Sequence, residues 1–328
     1  MKMRTMCMIG LCSAALQAAV VESRVTDDLR QRAQAGDAAA EVALGQRLMD
    51  EKQPAATEEA KRWFRKAAEQ GNAQGAWMLG SAEVASAPSP SAEGIAWMQK
   101  SIAIDHDADH MATLAFVEFL AGQQTEALAW ARRAADAGSV KAMQMLAMAY
   151  SGAFGYPKDV AAARHWMTLA AAKGDAASEL MLGQFYLSGR LGTTDVSAGL
   201  EWMQRAAAKG SAQAAGTLAT LYLTGEMHVP RDPARALPLA RQAAAANDML
   251  GHYALGIAYQ EGAAMAVDSR QAWYQLALAS RMDEKHTLHD VADRMSQAAT
   301  QLSASDLDEL AAKVDAVLKA APPSAPAS

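Results

Sequence analysis

The sequence predicts an all-α chain: an α/α superhelical solenoid of about seven helix-turn-helix repeats, closed by a C-terminal capping helix. Three observations carry this. Alanine dominates, aromatics make up only 6% of the residues, and no stretch alternates apolar and polar residues as a half-buried strand would. Trp63, Trp97, Trp130, Trp166 and Trp202, then Leu239 in a tryptophan's place, then Trp273 follow one another at 34, 33, 36, 36, 37 and 34 residues. A second signature falls between the anchors: Leu79-Gly80, Leu146-Ala147, Leu182-Gly183, Leu218-Ala219 and Leu255-Gly256, with Tyr150, Tyr186, Tyr222 and Tyr259 three residues behind the last four.

Each element follows from that register. Around the anchors, Ala60-x-x-Trp63-x-x-x-Ala67-Ala68-x-x-Gly71 returns at Ala127 to Gly138 and at Ala163 to Gly174, and nearly so at Gly199 to Gly210. Apolar residues three and four apart make one helical face. The alanines and glycines sit where two helices approach closely, and the aromatic anchors are expected to fill the wider gaps. A glycine after each Ala-Ala pair suits a left-handed turn at a helix end. Asp159, Asp195 and Asp232, seven residues before their anchors, are expected helix N-caps. One such helix pair cannot bury its apolar face alone, so stacking is obligatory.

These motifs resemble the Sel-one-like repeat family (SLR), a relative of the tetratricopeptide repeat with a longer loop between its helices. The segments Gly152-Ala-Phe-Gly-Tyr-Pro-Lys-Asp159 and Gly225-Glu-Met-His-Val-Pro-Arg-Asp232 carry the likeness most directly. It covers about residues 27–281: a capping half-repeat at 27–37, then repeats near 38–71, 72–105, 106–138, 139–174, 175–210, 211–247 and 248–281. The second has a proline-rich loop, Ala87-Pro-Ser-Pro-Ser91. Ser101-Ile102 and Asp105 stand where Ala-Ala and glycine belong, and the next long loop shrinks to Gly122-Gln-Gln-Thr125. Residues 282–320 read as capping helices, with Ser305 ahead of Asp306 and Asp308 as a helix start, and 321–328 as a disordered tail.

The N-terminus reads differently. Lys2 and Arg4 precede an apolar stretch, Met6 to Leu16, and then small residues around Ala18 and Ala19, the outline of a Sec signal peptide over 1–19. Its apolar core is too short to span a bilayer, and Cys12 lacks the small residue just before it that a lipoprotein needs. Both cysteines, Cys7 and Cys12, fall inside this segment, so a cleaved chain would hold no thiol and no cysteine metal site. The expected place is the periplasm or the exterior, with the cytoplasm as the alternative if the segment stays.

Composition argues against a nucleic-acid partner and against a membrane surface: net charge is −6 and the basic residues are spread along the chain. Site chemistry is sparse. His106-Asp107-Ala108-Asp109-His110 pairs histidines and carboxylates, as a metal site does. It falls, however, where other repeats place Gly-x-x, which reads as a solvated turn. His286, His289 and Asp290 read as one face of a surface helix, and His165 sits beside an anchor at a variable position. Met98, Met167 and Met203, each behind a tryptophan, and Met143, Met145 and Met148 read as core filling rather than metal ligands. No phosphate loop, nucleophile elbow or zinc-protease motif occurs. The family likeness includes proteins linked to β-lactam hydrolysis, but those carry a cysteine pair in each repeat.

The expectation is therefore a non-enzymatic protein without cofactor, a monomer that binds another protein or peptide. The likeness implies scaffolding or regulation in the bacterial cell envelope; a cytoplasmic adaptor or immunity-type protein, or a hydrolase, are the alternatives. If the helices bearing Leu-Gly-x-x-Tyr line the concave side, as in tetratricopeptide relatives, the groove residues are Gln74, Trp77, Lys141, Gln144, Gln184, Ser188, Gln213, Thr220, Thr224, Tyr253, Gln260 and Glu261. That row is polar and nearly neutral with two aromatics, which suits an extended segment held by hydrogen bonds and a few anchors.

Overall fold

The computed structural model describes residues 25–320; the signal-peptide pattern of 1–19 and the tail 321–328 lie outside that range. Among the described residues there are seventeen α-helices and no strand. They divide into two compact units, Met1–Leu146 and Ala147–Ser328. The first holds α1 (25–34), α2 (Ala38–Asp50), α3 (Pro54–Glu69), α4 (Ala73–Ala85), α5 (Ala92–Asp105), α6 (Ala108–Leu120), α7 (Gln124–Asp136) and the start of α8 (Val140–Tyr150). The second takes the end of α8 and then α9 (Val160–Ala172), α10 (Ala176–Leu187), α11 (Val196–Ala208), α12 (Ala212–Thr224), α13 (Pro233–Ala245), α14 (Met249–Glu261), α15 (Ser269–Met282), α16 (Val291–Ala299) and α17 (Ala304–Ala320). Hairpins pair α2 with α3, α4 with α5 and α6 with α7, and then α10 with α11, α12 with α13 and α14 with α15. None of these helices is long and apolar enough to cross a membrane.

Helix ends are set locally. Asp159, Asp195 and Asp232 accept from the backbone N–H groups of Ala162, Ala198 and Arg235, as their position in the repeat predicts. The first helix of each hairpin is capped the same way by Asp37, Asn72, Asp107, Asp175, Ser211 or Asp248. The repeat glycines turn left-handed, and where glycine is missing Asn247 does so instead, at φ 58°. After α5 the helix runs through Asp105 and the left-handed residue is His106. At the C-terminal end the cap of α17 is Ser303 rather than Ser305. Ser303 Oγ accepts from Asp306 N at 3.1 Å while Asp306 Oδ2 accepts from Ser303 N at 3.0 Å, a reciprocal box two residues earlier than the sequence reading placed it.

The leucine-glycine signature marks the helix crossings. A Cβ added to Gly183 on α10 would stand 2.7 Å from the Gly199 carbonyl on α11, and one on Gly80 would meet the Gly94 carbonyl at the same distance. The backbones pass too closely there for any side chain. The anchor tryptophans differ from expectation: each is only half-buried, and from Trp63 to Trp202 the residue behind it fills the core. Phe64, Met98, Met167 and Met203 are buried completely. The indoles lie along the seams between repeats, capped by a cation one turn on: Lys66 on Trp63, Lys100 on Trp97, Arg133 on Trp130 and Arg205 on Trp202. Tryptophan's spacing set the helix face correctly, but the deepest direction on that face belongs to its neighbour.

Candidate partner-binding site

The groove row sits on the first helix of each hairpin, and a common register counted from the N-caps describes most of it, with Gln74, Lys141 and Gln213 two residues after their caps and Gln260 beside Glu261. The fifth, ninth and thirteenth residues after the cap form one ridge, since four-residue steps return to the same side of a helix. On α14 these are Tyr253, Ile257 and Glu261; on α12, Gly216, Thr220 and Thr224; on α10, Leu180, Gln184 and Ser188; on α6, Ala112, Phe116 and Leu120.

In the first unit, Gln74 and Lys141 are exposed, and Gln144 is half-buried. Trp77 is not a free face: the His110 ring stacks on it, centroids 3.8 Å apart and nearly parallel. His110 Nδ1 lies 2.9 Å from Asp105 Oδ2, and Asp107 caps α6, so this histidine-aspartate cluster is tied into the turn. Among the described residues no group of three or more histidines and carboxylates is placed to hold a metal ion.

In the second unit, Gln184, Ser188 and Gln213 are exposed and Thr220 and Thr224 half-buried. The hydroxyls of Ser188, Thr220 and Thr224 donate to carbonyls of their own helices, which leaves their oxygens as acceptors toward a ligand. Tyr253 is buried, at 6% exposure, and its hydroxyl donates to Asp290 Oδ1 at 2.5 Å. Burial and that carboxylate both push the phenol up from its ordinary value. Gln260 donates to the Arg294 carbonyl and to Gln297 Oε1, and Arg294 donates to Gln260 Oε1 and Glu261 Oε1. The end of the row is thus covered by the chain's own α16, whose Val291 shares an apolar cluster with Tyr253 and Ile257. Burial alone would raise the Asp290 carboxyl; Tyr253 and Arg294 outweigh it and hold the group below its ordinary range.

The segment before α16 is a loop, so His286 and His289 do not share a helix face as their spacing suggested. Asp283 shapes that loop by accepting from the N–H groups of Thr287 and Leu288. Between it, α12 and α14 opens a cavity of about 640 Å³. Its floor is apolar (Leu221, Met249, Leu250, Leu288) and its rim carries Thr220, Glu226 and Asp290. A shallower hollow runs along α9, past Arg164, His165 and Leu169.

A family model described as Sel1 repeat matches residues 38–72, 122–139, 140–175, 176–211, 212–248 and 250–283, more than half of the sequence. The chain belongs to the Sel1 repeat family. Sel1 repeat proteins are in general protein-interaction scaffolds. Among solved structures, this Sel1 chain is similar to a Sel1 repeat protein from Oxalobacter formigenes at 22% identity, over 83% of this chain and 90% of that one, with a TM-score of 0.48. It is similar to c5321, a protective antigen of uropathogenic Escherichia coli strains with an SLR fold, at 18% identity over 92% and 99%, TM-score 0.39. Yeast Tom70 aligns at 13% identity over 92% of this chain and 60% of its own, TM-score 0.52, which shows a shared fold. No curated protein matches the sequence. The stretch the Sel1 model passes over, 73–121, contains the proline-rich loop and α6.

Two residues of the row escaped the sequence reading. Phe116 and Leu120 on α6 occupy the register of Thr220 and Thr224, and they are 54% and 56% exposed. Counting nine and thirteen residues from Asp107 would have found them. That repeat has Glu118 in place of the tyrosine from which the others were aligned, and its loop after Gly122 is shortened.

Proposed function

We propose that this Sel1 protein is a non-catalytic scaffold or regulator of the bacterial cell envelope that holds an extended segment of a partner protein along α10 and α12 and into the cavity beside the start of α14. The observation that carries the proposal is the cavity of about 640 Å³ beside Thr220 and Leu250. Its apolar floor accepts one large side chain, and the hydroxyl and amide groups of Gln213, Thr220 and Thr224 supply hydrogen bonds to an adjoining main chain. The engagement of His110 by Asp105 and Trp77 supports a structural role for the histidine pair rather than a hydrolytic one. The basic, apolar, small pattern of residues 1–19 supports export.

Two measurements test this. Residues 1–30 fused to a reporter that works only after export should give activity outside the cytoplasm; a silent fusion assigns the protein to the cytoplasm. Affinity capture from the native host, followed by mass spectrometry, should recover a partner that is lost with Thr220→Arg, which closes the cavity mouth. Retention of every captured protein by Thr220→Arg removes the cavity from the binding surface.

A further inference from the structure

We propose that the exposed ridge of α6, Phe116 and Leu120 with Asp109 at its N-terminal end, docks an amphipathic helix of a partner protein that carries basic residues toward one end. This goes beyond the extended-segment reading and concerns the other unit of the chain.

The repeat register supplies the first argument. On α14 the ridge of Tyr253, Ile257 and Glu261 is covered by a short helix: α16 brings Val291 and the partly buried Met295 against the apolar residues, and Asp290 and Arg294 against the polar ones. A ridge of residues four apart is the shape that fits the groove of a second helix. The same register on α6 carries Ala112, Phe116 and Leu120, and the last two are exposed. The molecule thus contains one filled and one open instance of a helix-binding ridge.

The choice of a helix over an extended strand follows from hydrogen bonding. Phe116 and Leu120 offer no polar group, and the Thr113 hydroxyl between Asp109 and Phe116 donates to the Asp109 carbonyl. A strand laid here would leave its amides without partners, whereas a helix satisfies its own. Charge fixes the orientation of the occupant. Asp107 and Asp109 are exposed at the start of α6, with Asp105, which His110 engages, beside them, whereas Phe116 and Leu120 at the other end of the ridge are uncharged. From Asp109 to Leu120 the ridge is about 16 Å long, three turns of helix.

The probe is a fluorescein-labelled synthetic peptide of eighteen residues, with leucines on one face, lysines in its last turn and glutamines elsewhere, followed by anisotropy on the full chain. Binding should weaken at least tenfold in Phe116→Glu/Leu120→Glu and stay within twofold in Val267→Glu, an exposed apolar residue of the other unit. The milder Phe116→Ser/Leu120→Ser should give the same loss, with circular dichroism confirming unchanged helix content in each variant. The same peptide with two central prolines should not bind. Equal binding by the proline peptide, or by the ridge variants, overturns the proposal. So does a concentration-dependent dimer in sedimentation that both ridge variants abolish, since the occupant would then be a second copy of this chain.

Discussion

Helices α6 and α14 hold the same place in their repeats, yet one shows its ridge to solvent and the other buries it. Both start from an aspartate cap, Asp107 or Asp248, and both put an apolar residue nine positions on, Phe116 or Ile257. Phe116 is 54% exposed; Ile257 is completely buried. Nothing in the helices themselves causes the difference. It arises because the chain beyond α15 folds back over α14, held by Tyr253, Gln260 and Glu261. The lesson is that this register presents a binding ridge, and that what covers it is decided elsewhere in the sequence.

The largest expected effect breaks that symmetry directly. Ile257→Ala should cost about 2–4 kcal/mol in chemical denaturation, because it empties a fully buried position in the apolar cluster that Val291 of α16 joins. Phe116→Ala should cost about 1 kcal/mol or less, since more than half of the residue is already exposed in the folded chain. Similar losses from both substitutions would mean that α6 is covered in solution after all.

A smaller effect sharpens the account of how α16 is held. Tyr253→Phe removes the hydroxyl that reaches Asp290 but keeps the ring in its cluster. A loss of about 1 kcal/mol is expected. Asp290 retains Arg294, whose Nε donates to it at 2.6 Å, so the carboxylate is not stranded. Hydrogen exchange should show the loss concentrated in α16, with α10 to α12 unchanged; protection falling evenly through the unit would disconnect Tyr253 from α16.

What the sequence made legible was the part of the fold decided within a few residues. Asp159 caps a backbone N–H three residues away, Gly174 turns left-handed within its own helix end, and Gly183 meets Gly199 across one hairpin. The half-buried tryptophans were read as deeper than they are, because periodicity gives the direction of a face and not the depth of each residue on it. The site was less legible for two reasons. The polar row on α10 and α12 follows from the motif spacing, but Phe116 and Leu120 were missed where that motif decays. The covering of Tyr253 joins residues 37 apart through a loop shaped by Asp283, and no local pattern announces such a contact.

A third effect concerns α6 alone and tests whether its exposed ridge rests on a strained interior. Glu118, on the other side of the helix, is fully buried, with Gln99 donating to it at 3.0 Å and with Trp130 and Glu126 near it. Burial pushes this carboxyl up, and Glu126 adds to the rise, while the Gln99 contact opposes it. The folded chain therefore favours the protonated acid, so the stability it lends is complete below the unfolded value and is lost as pH rises through the folded one. Glu118→Gln should accordingly gain up to about 1 kcal/mol near pH 7, where the parent must bury a charge, and gain nothing at pH 4. A gain of the same size at both values would show that the effect is packing and not ionisation.

The smallest effect separates the two ridges by pH. Burial opposes ionisation of Asp290, but the Tyr253 hydroxyl and the Arg294 guanidinium outweigh it, so the folded-state value lies below the unfolded one. For a carboxyl shifted that way, stability is present above the unfolded value, near 4, and is lost as pH falls through the folded one. The charged and titratable groups that meet there are Tyr253 and Glu261 from α14, Arg294 from α16, and Arg231, which pairs with Glu261 from the loop before α13. Acid removes the Asp290 charge, and with it the ion pair to Arg294 and the charged acceptor of the Tyr253 hydroxyl, so α16 should loosen from α14 below about pH 4 while α12 stays folded. Hydrogen exchange across pH 3 to 7 reads this in the amides of Val291 to Ala299. In Asp290→Asn the dependence should largely vanish, since the group that titrates is gone. If the variant keeps the parent's full pH profile, the acid sensitivity belongs to another group and Asp290 is only a hydrogen-bond acceptor.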